Sequence, residues 1–62
     1  MTQAARLSAL LDLLTERGTV SNGEIATELG ISEPTVRRYL AILESRRMLA
    51  RTHGGAVARL GS

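Results

Sequence analysis

Cysteine is absent from this 62-residue chain, which rules out a disulfide framework and any thiolate metal site. Phenylalanine and tryptophan are absent as well, and there is a single tyrosine, so a core must come from Leu, Ile, Val, Ala and Met. Lysine does not occur; all eight cations are arginine. The lone histidine, His53, has no cysteine to join it in holding a metal, and at a turn it has neither nucleophile nor pocket for catalysis. No cofactor and no enzymatic activity are implied. No apolar run approaches membrane-spanning length, and the N-terminus lacks a signal-peptide pattern, so the expectation is a soluble, cytoplasmic protein. At this length the chain, residues 1–62, is one small domain with a core of marginal size.

What is present is unevenly placed. The net charge is only +2, yet five of the eight arginines fall between Arg37 and Arg51. A local basic surface is the electrostatic footprint of a polyanionic partner. A general preference for arginine over lysine is the plainer explanation of the same counts.

The stretch from Ser32 to Arg47 carries the strongest pattern. Ser32 is a good N-cap and Pro34 falls in the first turn, where a missing N–H costs nothing. Because Pro34 has no amide hydrogen, Ser32 is expected to cap Thr35. Val36, Leu40 and Leu43 form an apolar stripe with Tyr39 at its edge, while Pro34, Arg38, Ala41 and Ser45 occupy the opposite side, flanked by Thr35 and Arg37. A helix that enters a DNA major groove needs such a narrow polar face with a forked cation near its start. An ordinary solvated face has the same composition, so this helix alone leaves both readings open.

Upstream, Leu7, Leu10, Leu11 and Leu14 mark a first helix over about residues 3–17, with Leu13 at its border and Gly18 as a left-handed C-cap. Ser21 and Glu24 form a capping box, with Val20 and Ile25 as its hydrophobic staple, and open a second helix over about 22–29. Gly30 ends it, and the third helix, about 33–47, begins almost at once. Two helices joined by a three-residue turn containing glycine form a helix-turn-helix, for which a plain helical hairpin is the alternative. The segment at about 48–60 weighs against the hairpin. Met48–Thr52 can run as a strand, His53-Gly54-Gly55 can turn, and Ala56–Leu60 can return. Such a wing after three helices predicts a mainly α, winged helix-turn-helix fold with a small β-hairpin, and Thr19-Val20 can add a third short strand. Gly61-Ser62 reads as the start of a linker or the end of a fragment.

These residues resemble the DeoR-type repressors, bacterial transcription regulators named for the deoxyribose operon repressor. The resemblance runs over about residues 6–57. It rests on Arg6-Leu7 through Leu11, Gly18-Thr19-Val20, Glu24-Ile25-Ala26 and Gly30-Ile31-Ser32, and above all on Thr35-Val36-Arg37-Arg38 and Arg51-Thr52-His53-Gly54-Gly55-Ala56. It implies a domain that binds operator or promoter double-stranded DNA for transcriptional control, in a family where a larger sugar-phosphate-binding domain follows. A sugar-phosphate effector is then expected only through such a further domain, which would also pair copies; the isolated domain is expected to be a monomer. The family usually has aspartate after the paired arginines, where this chain has Tyr39.

The residues expected to meet DNA are Thr35, Arg37 and Arg38 from the helix and Arg51, His53 and Gly54 from the wing. Arg38, nearest the centre of the outward face, is the expected base reader, and Arg37 the phosphate contact. Gly54 and Gly55 would supply a positive-φ turn and a close backbone approach. His53 equally suits a turn-stabilising hydrogen bond. Arg46 and Arg47 close the helix, where cations favour the negative end of its dipole. The backbone donors beside Ser21 and Ser32 could hold phosphates. A winged-helix protein-interaction module without sequence-specific DNA binding is the competing function.

Overall fold

The computed structural model describes residues 2–59. Along them run α1 (Gln3–Arg17), β1 (Thr19–Ser21), α2 (Asn22–Leu29), α3 (Glu33–Ser45), β2 (Leu49–Thr52) and β3 (Gly55–Ala58). Every helix begins at a hydroxyl that accepts a free backbone donor. Thr2 caps Ala5 at 3.2 Å, Ser21 caps Glu24 at 3.1 Å, and Ser32 caps Thr35 at 3.4 Å, as the proline in α3 requires. The capping box at Ser21 is only half realised. The Glu24 carboxylate accepts from the Ser21 hydroxyl at 3.2 Å and makes no bond to the Ser21 amide.

The strands form one antiparallel sheet in the order β1-β3-β2, so the anticipated third strand is present and the last strand lies in the middle. The turn is tighter than expected: His53 and Gly54 alone form it, and Gly55 already pairs with Thr52 and Ser21. Gly54 takes the positive φ, +84°. Gly55 meets the other need, since a Cβ there would overlap the Val20 carbonyl oxygen and lie 2.9 Å from Ser21 Cα. Leu60, the expected end of the wing, and the Gly61-Ser62 segment lie outside the described residues.

One layer of aliphatic side chains joins the helices to this sheet. Leu7, Leu10 and Leu14 of α1, Val20 of β1, Ile25 of α2, Val36, Tyr39, Leu40 and Leu43 of α3, Leu49 of β2 and Ala56 of β3 are all buried. Leu11, expected in the same stripe, is only partly buried, as is Leu13. Val20 and Ile25, the staple of α2, are both buried, and Ile31 packs partly covered against the core that holds Val36.

Two helix ends depart from expectation. Gly18 has a positive φ of 82° but a ψ of −47°, outside the left-handed helical well. Its carbonyl turns to accept the Ala58 amide at 2.8 Å, which draws the backbone toward the sheet. Helix α3 stops at Ser45, two residues short of the expected 47, with Arg46 as its C-cap. The chain must reverse here to bring Leu49 into the core. It does so through a paired cap in which the Arg47 amide donates to Glu44 O at 2.9 Å and the Met48 amide to Leu43 O at 3.0 Å. Arg47 sits at φ +59°, a place glycine normally fills. Arg46 and Arg47 therefore flank the helix end and are not part of its last turn.

Two glycine exchanges test these backbone assignments in opposite directions. Arg47→Gly should relieve left-handed strain and stabilise by about 0.5–1 kcal/mol, raising the melting temperature by roughly 2–8 °C for a domain this size. Gly55→Ala should force β3 from β1 and lower stability by about 2 kcal/mol or more. Thermal unfolding followed by circular dichroism reads both; a destabilised Arg47→Gly or a neutral Gly55→Ala would contradict the geometry.

Candidate nucleic-acid interface

Burial of Val36, Tyr39, Leu40 and Leu43 fixes the rotation of α3 and so decides which side chains it shows to solvent. Pro34, Arg37, Arg38, Ala41 and Ser45 are exposed. Thr35 is half-buried and its hydroxyl lies 2.9 Å from the Ser32 hydroxyl, so it belongs to the N-cap as well as to the outward face. The outward face of α3 therefore carries small residues around Arg38 and two cations in its N-terminal half.

The wing carries the second group. Arg51, His53 and Gly54 are all exposed. Arg51 shares a cross-strand row with Ala56 and Val20, the latter two buried; beyond the core's edge the same sheet face emerges into solvent with Arg51 on it. The wing is held at both ends to the helical part. At its tip the Gly54 carbonyl accepts the Asn22 amide at 2.8 Å, and at its base the Ala58 amide donates to Gly18 O. Along its outer strand the Arg51 amide donates to Glu44 Oε2 at 3.3 Å, which ties the wing to the C-terminal half of α3. No local signal marks Glu44 for this, because its acceptor role depends on a strand seven residues away.

These bonds also narrow the anion sites anticipated at helix starts. In α2 the Asn22 and Glu24 amides are already taken, by Gly54 O and Ser21 Oγ. In α3 Pro34 has none, Thr35 is capped by Ser32, and Val36 donates to Ser32 O at 3.0 Å. Few donors remain for a phosphate at either terminus.

The arginines divide clearly by partner. Arg17 reaches from the end of α1 to Glu24 and Glu28 of α2, at 3.2 and 3.3 Å. These are the ion pairs found among the described residues. Arg37, Arg38, Arg46, Arg47 and Arg51 are exposed and have no carboxylate within ion-pair distance among those residues. The positive charge near α3 and the wing is therefore not neutralised by ion pairs among the described residues.

Three helices, the last two joined by a glycine turn, and a sheet hairpin braced against them define a winged helix-turn-helix domain. The sequence matches the family model described as the DeoR-like helix-turn-helix domain over residues 6–59, and the chain belongs to that family of DNA-binding domains. It is 48% identical over 56 residues to a lactose phosphotransferase system repressor of Lactococcus lactis subsp. lactis. Repressors of the same name from Staphylococcus epidermidis and Staphylococcus aureus are 43% and 39% identical to it over 56 residues. Each alignment covers 90% of this chain and 22% of the relative, so the chain spans about a fifth of their length. No solved structure matched the chain significantly.

Tyr39 needs separate treatment, because it stands where the resemblance leads one to expect aspartate. It was placed at the edge of the core; the structure puts it inside, 5% exposed and part of the central cluster. Its ring supplies apolar area that this core, with no Phe or Trp, obtains from no other aromatic. Tyr39→Asp should therefore destabilise the domain by about 2–4 kcal/mol, through a lost ring and a buried carboxylate, whereas Tyr39→Phe should cost under about 1 kcal/mol. Urea titration of the two variants separates the outcomes. Equal stability for Tyr39→Asp would mean that the ring is not a core element.

Proposed function

We propose that this chain is the operator-binding domain of a DeoR-type transcriptional repressor of carbohydrate or related metabolism genes, with residues 1–62 acting as one cytoplasmic DNA-binding domain. One observation carries the reading: five exposed arginines without carboxylate partners among the described residues cluster on and around the recognition helix and wing. In this reading α3 enters the major groove, where Arg38 reads base edges, Arg37 binds phosphate, and Thr35 approaches the backbone at the helix start. Arg51, His53 and Gly54 meet the adjacent groove or its phosphates from the wing. The relatives support the repressor assignment, since those named above are lactose phosphotransferase system repressors. Sugar-phosphate sensing, in this reading, is the task of a further domain of the kind the family carries and not of this one. A single small winged helix makes few base contacts, so it binds one half-site weakly as a monomer. Tight binding then requires two copies held at the half-site spacing.

Selection of bound duplexes from a random DNA pool tests the central statement; recovery of no preferred sequence would favour a protein-interaction module. On the selected site Arg38→Ala should cost about 1–3 kcal/mol and relax discrimination at one or two base pairs. Arg51→Ala should weaken selected and scrambled duplexes alike and reduce the slope of log K against log salt by about one. Unchanged affinity and preference in Arg38→Ala would relocate the reading face. Adding sugar phosphates at constant ionic strength should leave binding by this domain unchanged, and sedimentation should show a monomer.

A further inference from the structure

Strand β2 lies at the edge of the sheet, with β3 on one side and no strand on the other. In an antiparallel ladder alternate amides of an edge strand face away from the neighbour and need another acceptor. The Arg51 amide is such a donor, and the Glu44 carboxylate, on the last turn of α3, accepts it at 3.3 Å. We propose that Glu44 is a positioning residue for the wing: through the Arg51 backbone it sets how β2 lies along the recognition helix, and hence where Arg51 and His53 meet DNA. The inference rests on the DNA-binding reading above.

Three fixed points define the course of β2. At the corner, Met48 donates to Leu43 O and Leu49 is fully buried. At the tip, Gly54 O is held by Asn22. Between them the outer edge of β2 contacts α3 through Glu44 in the one side-chain hydrogen bond that joins the two elements among the described residues. Backbone is the target, so the bond orients the strand itself and leaves the Arg51 side chain free. Electrostatics makes the choice of residue informative. A carboxylate amid Arg37, Arg38, Arg46, Arg47 and Arg51 opposes binding to a polyanion, and it forms no ion pair with any of them within 4 Å. No close ion pair therefore accounts for its placement, whereas the bond to the Arg51 amide does.

Glu44→Gln and Glu44→Ala separate the two effects. Both remove the charge, but only glutamine keeps a side-chain oxygen that can accept the Arg51 amide. Glu44 is exposed, so neither change creates a cavity, and matched thermal midpoints verify that both variants fold. The first readout is hydrogen exchange at the Arg51 amide, which needs no DNA. The second is affinity for the selected duplex and for a scrambled one. We expect Glu44→Ala to speed Arg51 exchange and to weaken binding to the selected duplex, each by roughly threefold to tenfold. Glu44→Gln should keep slow exchange and bind as tightly as the parent or tighter. Unchanged exchange in Glu44→Ala would overturn the brace, and faster exchange with unchanged binding would overturn its role in positioning. Equal tightening by both variants would show that Glu44 acts through charge alone. A parent that selects no sequence defeats the DNA-binding reading separately, and with it the wing's placement on DNA, while exchange still reports on the brace.

Discussion

The close pairing of β3 with β1 is the contact on which the rest of this small domain depends. It works because Gly55 has no Cβ, so the backbone can pass against Val20 and Ser21 at a distance no other residue allows. With β3 seated there, Ala56 enters the core opposite Val20, and β2 is placed beside α3 on the far side. The hairpin becomes a third wall over the helices instead of a loose appendage. A domain with a core this small and no cysteine in its sequence has little other means of covering Leu10, Leu14 and Leu49.

The polar interactions follow from that closure. Bonds from Gly54 O, Gly18 O and the Glu44 carboxylate join the wing to three separate points of the helical part. Each satisfies a backbone donor that a strand edge or helix start would otherwise leave to water. Charge is sorted in the same way. Carboxylates on α2 take Arg17, which fastens two helices, while the cations of α3 and the wing are left unpaired among the described residues. Exposed ion pairs add little stability, about 0–1 kcal/mol each, so leaving those arginines unpaired costs the fold almost nothing and keeps the surface strongly positive.

Local chemistry made much of this legible in advance. Ser32 before Pro34, Ser21 before Glu24, and Gly30 between two apolar patterns mark helix starts and stops through bonds made within a few residues, so α1 and α2 fell where expected. Arg38 on the outward side of α3 follows from the same helical spacing that buries Leu40 and Leu43. Errors gathered where distant segments intervene. Gly18 was drawn out of the left-handed well by the bond its carbonyl makes to Ala58. The early end of α3 at Arg46 reflects the demand that Leu49 reach the core, which no local signal at Arg47 announces.

Sequence by itself determined the three helices and the hairpin, because periodicity, capping and turn residues act over one or two turns of chain. Tertiary structure alone decided the rest. It put Tyr39 inside the core, committed the Thr35 hydroxyl partly to its cap, assigned Gly55 to β1, and brought Glu44 to the amide of Arg51. The reason is the same in each case. A side chain's burial and a backbone donor's partner depend on which segments pack together, and Ser21 with Gly55, or Glu44 with Arg51, become neighbours only after the core of leucines has closed.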